Sequence, residues 1–260
     1  MWDWILPKTP PLCEEARLWV EHRMRWLIEE FGLWRLALNP AVLPDRQWFP
    51  DPFDGSEAHA RLWFRRVCGY MGIDMARLRL VFFGERERPP DPYVVTQNRS
   101  GAAGLYSENP ILIHLHRGQL SRPESMVATM AHELGHVHLL GDCRISAAEP
   151  DHEPLTDLLT IFWGFGVFTA NSHLQERHWA APGGSRWELS GLGYLDFRTI
   201  GYALALWAWS RAEPRPTWGR LLQVDVRAAM KQGLRYLARC PTPPIPRAVV
   251  DEVPRARNQR

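Results

Sequence analysis

The chain has 260 residues, 45% hydrophobic and 23% charged, with a formal net charge of +2 at neutral pH. That length accommodates one large domain or two small ones. The balance is that of an ordinary globular protein and excludes a disordered or low-complexity chain, and so small a charge gives no reason to expect a nucleic-acid or membrane partner.

From the amino terminus, residues 1–11 are rich in proline, and residues 12–38 repeat Leu18, Trp19, Met24, Trp26, Leu27, Ile28 and Phe31 at helical intervals, which predicts one amphipathic helix. Pro40, Pro44, Pro50 and Pro52 mark a loop, after which Ser56 is placed to cap a second helix reaching about Met71. Residues 1–77 are thus expected to form a helical annex. Leu78–Phe83 reads as a strand, with further strands expected at Tyr93–Thr96, Ala102–Tyr106 and Ile111–Leu115. A helix follows over Ser125–Leu140, stopped by Gly141. Another runs from Pro154 to about Thr169, then a glycine-rich loop over 180–193, and helices over Phe197–Ser210 and Val224–Ala238. Residues 78–240 form the expected main domain. Residues 241–260, with five prolines and several arginines, are expected to be a disordered tail.

The chemistry concentrates in His132-Glu133-Leu134-Gly135-His136. Residues four apart share a helix face, so His132 and His136 can grip one metal ion. Glu133, one step round, can reach a water on that ion. This is the H-E-x-x-H arrangement of zinc-assisted hydrolysis. His138, two residues on, faces away from the ligands.

A catalytic zinc needs a third protein ligand and an open position. Asp142, Glu149, Asp151, His152 and Glu153 are the candidates. Asp142 would need a sharp turn where Leu139 stands, and leucine resists a positive φ. Glu153 opens the next helix, with Pro154 in its first turn. Glu153 and Asp157 lie four apart, so one can bind the metal while the other orients a ligand histidine. Asp157 reads equally as an ordinary acid favoured by the helix dipole. Asp142 and Glu149 stay open as alternatives to Glu153.

His132-Glu133-x-x-His136 followed by Glu153-x-x-x-Asp157 resembles the gluzincin zinc metallopeptidases over residues 78–170, with flanks that look like those of a bacterial branch. The resemblance implies an α+β, zincin-like fold: a small, mostly antiparallel sheet packed on the H-E-x-x-H helix. It also implies Zn²⁺ held by His132, His136 and Glu153, Glu133 as general base, and Asp157 orienting His132. In such folds an edge strand near the site pairs with extended substrate; Ile111–Leu115 is the candidate, with an interior strand as the alternative.

The expected function is therefore zinc-dependent hydrolysis of peptide or protein substrates. The alternative is a non-catalytic, metal-stabilised interaction module, which a fourth ligand such as Cys143 or Asp142 would favour. An oxyanion donor is sought downstream, first at Tyr202 and His178, then at His173 and Tyr194. Cys13, Cys68, Cys143 and Cys240 show no disulfide-framework or Cys-x-x-Cys spacing. No basic leader with an apolar run begins the chain, and Leu158–Phe168 is too short an apolar run to span a membrane. A cytoplasmic location is expected. The 13 tryptophans are scattered and read as core.

Overall fold

The computed structural model describes residues 9–84, 110–179 and 195–247, with the backbone alone for 173–179. The fold is α+β and mostly helical. The chain divides into two compact units, residues 43–156 and residues 1–42 with 157–260. This is not the expected boundary at 77/78: residues 43–77 go with the site-bearing unit, and the carboxy-terminal helices go with the amino-terminal ones.

In the helical unit the expected first helix is two. Gly32, at φ +89°, separates α1 (Glu14–Phe31) from α2 (Leu33–Leu38). A second glycine does the same further on. Gly164, at φ +91°, divides α5 (His152–Phe162) from α6 (Gly166–Trp179) where one helix was expected. The unit is organised around α7 (Phe197–Ser210), whose residues from Thr199 to Ser210 are all buried. A helix apolar on every side can only sit inside a core. Its N-terminus is capped by Asp196, which accepts from Thr199 N at 2.7 Å, and it packs chiefly on α8 (Val224–Leu237). Small residues allow that approach: a Cβ on Gly201 would lie 2.5 Å from Ala229 Cβ, and one on Gly233 would lie 2.7 Å from Ala205 Cβ.

Two polar devices tie distant segments of this unit together. Glu21, buried on α1, accepts from Arg17 Nη1 at 2.9 and 3.0 Å and from the Tyr202 hydroxyl at 2.6 Å. A buried carboxylate is tolerated only when paired in this way. Arg211 Nη1 donates to the carbonyls of Leu36, Ala37 and Asn39, satisfying the end of α2, while its guanidinium stacks on Trp207. Trp163, Trp207, Trp209 and Trp218 are buried, whereas Trp34 is 48% exposed. Residues 241–247 depart from the expected disordered tail. Ile245 is buried and the Arg247 guanidinium stacks on Trp209. Residues 248–260 lie outside the described residues.

In the site-bearing unit, α3 (Glu57–Met71) is capped by Ser56, whose Oγ accepts from His59 N at 3.2 Å, as its sequence predicts. β1 (Leu78–Phe83) pairs with β2 (Ile111–His116) in parallel, in register from Leu78↔Ile111 to Phe83↔His116. This corrects the expected antiparallel sheet. Alternation of side chains marks a strand but carries no direction, and a parallel pair requires a long crossover, here residues 84–110. The expected strands at 93–96 and 102–106 lie outside the described residues. Next comes α4 (Pro123–His136), which packs on α3 and β2. Its apolar face, Met126, Val127, Met130, Ala131 and Leu134, is buried. The helical path ends in a π turn over Val137–Gly141, closed by Asp142 N donating to Val137 O at 2.9 Å. Among the described residues, no helix is long and apolar enough to cross a membrane.

All four cysteines are free. Cys68 is buried on α3, and burial pushes its thiol up to about 12; Cys13 and Cys143 are exposed. A thiol titration of the native protein at pH 8 is expected to label Cys13 and Cys143 readily. Cys68 should react only after unfolding, because the thiolate is the reactive form.

Candidate metal centre

Two adjacent helices of one unit build the site. The last turn of α4 carries His132 and His136 on one face, and the first turn of α5 carries Glu153. Pro154 does not displace Glu153 from the helix, because α5 already begins at His152. A proline in the first turn gives up an N–H that would have no intrahelical partner there.

The three expected ligands converge. His132 Nε2 lies 3.0 Å from His136 Nε2 and 3.1 Å from Glu153 Oε2, and His136 Nε2 lies 3.5 Å from the same oxygen. Ligand atoms about a tetrahedral zinc, with bonds of about 2.0–2.1 Å, stand about 3.3 Å apart. The donor set, two imidazoles and a carboxylate, is the chemistry such an ion takes. Among the described residues, these three form the only group of three or more His, Cys, Asp or Glu side chains so gathered.

The environment suits metal ligands, which must be deprotonated. His136 is 4% exposed, and burial holds its imidazole below the usual range against the opposing pull of Glu153. For Glu153, burial opposes ionisation, but hydrogen bonds and charge from His132 and His136 outweigh it and hold the carboxyl well below the ordinary carboxylate range. The positive end of the α5 dipole acts in the same sense. Glu133 is half-buried beside the cluster, near enough for its charge to raise the pKa of His136.

The alternative ligands are occupied elsewhere. Asp142 accepts from Arg77 Nη2 at 2.8 Å and from Arg144 Nη1 at 2.7 Å. Burial works against its ionisation, and these guanidiniums more than offset it. Glu149 offers its backbone carbonyl to His152 Nδ1 at 2.9 Å. Cys143 is exposed, at φ +56°. His138 faces away from the ligands, as expected, and its Nε2–H donates to Met71 O at 2.9 Å.

Other expected residues fall outside the cluster. Asp157 is buried one turn after Glu153, in the helical unit, where its backbone carbonyl accepts from Thr160 Oγ1. Tyr202 is fully buried in that unit, its hydroxyl spent on Glu21, so it is not carried forward as an oxyanion donor. The side chains of His173 and His178, and Tyr194 altogether, lie outside the described residues.

Two contacts were not foreseen. His152, read from sequence as a solvated loop residue, begins α5 and brings Nε2 within 3.2 Å of Glu153 Oε1. Thr156 Oγ1 meets His136 Nδ1 at 3.3 Å. The one signal available in the sequence was spacing: Thr156 stands three residues after Glu153, on the same helical face.

No family model, curated protein or solved structure matches the chain. What the fold and site define is an α+β protein with a His132–His136–Glu153 group able to hold a metal ion.

Proposed function

We propose that the protein is a zinc-dependent peptidase, with Zn²⁺ held by His132, His136 and Glu153. The observation that carries this reading is the convergence of three ligand atoms beside a carboxylate, Glu133, that is not one of them. A purely structural zinc takes four protein ligands. Among the described residues no fourth His, Cys, Asp or Glu joins the group, and Asp142 is engaged by two arginines. Both facts favour catalysis over a metal-stabilised module.

Zinc at this position supplies Lewis acidity, bringing the pKa of a water to about 7 and polarising a substrate carbonyl. The chain's own residues do the rest. Glu133 takes the proton from the attacking water and returns it to the leaving amine. Glu153 and the histidines keep their lone pairs aimed inward. The outer edge of β2 is assigned to hold extended substrate by main-chain hydrogen bonds.

Metal analysis of the purified chain tests the ligand set. About one zinc per chain is expected in the wild type, lost in both His132→Ala and Glu153→Ala. Zinc lost in the first and kept in the second would move the third ligand elsewhere.

A further inference from the structure

Thr156 is fully buried, and so nearly is His136, so solvent does not compete for the contact between them. The Thr156 hydroxyl donates to the carbonyl of His152 at 2.7 Å. A hydroxyl has one proton to give and two lone pairs. With that proton spent, Oγ1 can only accept where it faces His136 Nδ1, 3.3 Å away. The proton in that contact must then belong to Nδ1, and in a neutral imidazole this leaves Nε2 bare. Nε2 is the nitrogen turned toward His132 and Glu153.

We propose that Thr156 is a positioning residue: it sets the Nδ1–H tautomer of His136 and presents the Nε2 lone pair to the metal centre. The first turn of α5 thus supplies one ligand, Glu153, and orients another. Threonine at this place uses a common helix habit, hydroxyl donation to the carbonyl four residues back, to fix which way its lone pairs point. His132 follows in turn. With His136 Nε2 bare, the proton between the two rings belongs to His132 Nε2, which can also donate to Glu153 Oε2 at 3.1 Å. The metal-free chain then holds its two ligand histidines in opposite tautomers.

The consequence for metal binding rests on the proposed zinc site; the tautomer does not, so the two can fail separately. The test is a two-bond ¹H–¹⁵N correlation spectrum of the metal-free, ¹⁵N-histidine-labelled full chain at pH 8, with His136 assigned from a His136→Asn variant. The wild type is expected to show His136 as Nδ1–H. Thr156→Val, similar in shape but without the hydroxyl, should shift it toward Nε2–H, and Thr156→Ser should restore it. Competition with a chromophoric chelator should show Zn²⁺ affinity about 10- to 100-fold weaker in Thr156→Val, recovered in Thr156→Ser. An Nε2–H tautomer in the wild type overturns the inference whether or not Thr156→Val folds. So does a Thr156→Val spectrum and affinity equal to wild type. Nδ1–H in the wild type with the expected shift in Thr156→Val, but no zinc bound by any variant, supports the tautomer role and removes the metal reading instead.

Discussion

Glu133→Gln is expected to abolish measurable peptide hydrolysis while leaving zinc in place. The substitution keeps the size and planarity of the side chain and removes only its capacity to take a proton. General acid–base catalysis contributes about 10²- to 10⁴-fold, and kcat should fall by that order. Glu133 lies outside the group formed by His132, His136 and Glu153, so metal stoichiometry should hold. Its negative charge does favour the protonated form of His136, so the variant's metal site should tolerate slightly lower pH. Turnover on a peptide library, compared for wild type and variant at equal metal content, decides it. Equal turnover would remove Glu133 from the mechanism.

The largest loss of stability is expected from Gly164→Ala. Gly164 sits at φ +91°, where an L side chain is strained, and a Cβ there would lie 2.5 Å from the carbonyl oxygen of Pro40. Its own carbonyl accepts from Val42 N at 3.0 Å, so the backbone cannot swing away without losing that bond. Strain and overpacking each cost about 1–3 kcal/mol. Together they predict a drop in Tm on the order of 10 °C for a chain of this size. Gly69→Ala is the control. A Cβ there meets nothing within 4 Å on an exposed position of α3, and alanine should stabilise the helix slightly. Equal melting of the two variants would show that the α5–α6 break is not held by this glycine.

Local signals were read well from the chain. Ser56 announced the start of α3, alternation marked β1 to the residue, and the unbroken apolar stretch of α7 foretold a buried helix. The pentapeptide from His132 to His136 placed its two histidines on one face because helical spacing leaves no other choice. The failures are of another kind. Gly32 and Gly164 were absorbed into longer helices because a glycine is compatible with a helix until a neighbour, such as Pro40 O, demands a positive φ. The direction of β2 depends on the path between the strands rather than on the strands. Asp142 could not be dismissed as a ligand without Arg77, 65 residues earlier, and Tyr202 looked available until Glu21 was found against it from 181 residues away. Thr156 was invisible for a subtler reason: its role depends on where a single proton goes.

The division of the chain after Thr156 bears on the order in which the protein is made. Residues 43–156 are contiguous, so the unit holding His132, His136 and Glu153 is complete on the ribosome well before the other. The first helix emerges earliest yet must wait longest, since its buried carboxylate at Glu21 meets its phenol partner only after Tyr202 has been translated. During that interval the apolar side of α1 has no native cover, and a nascent chain in that state is a natural client for a chaperone.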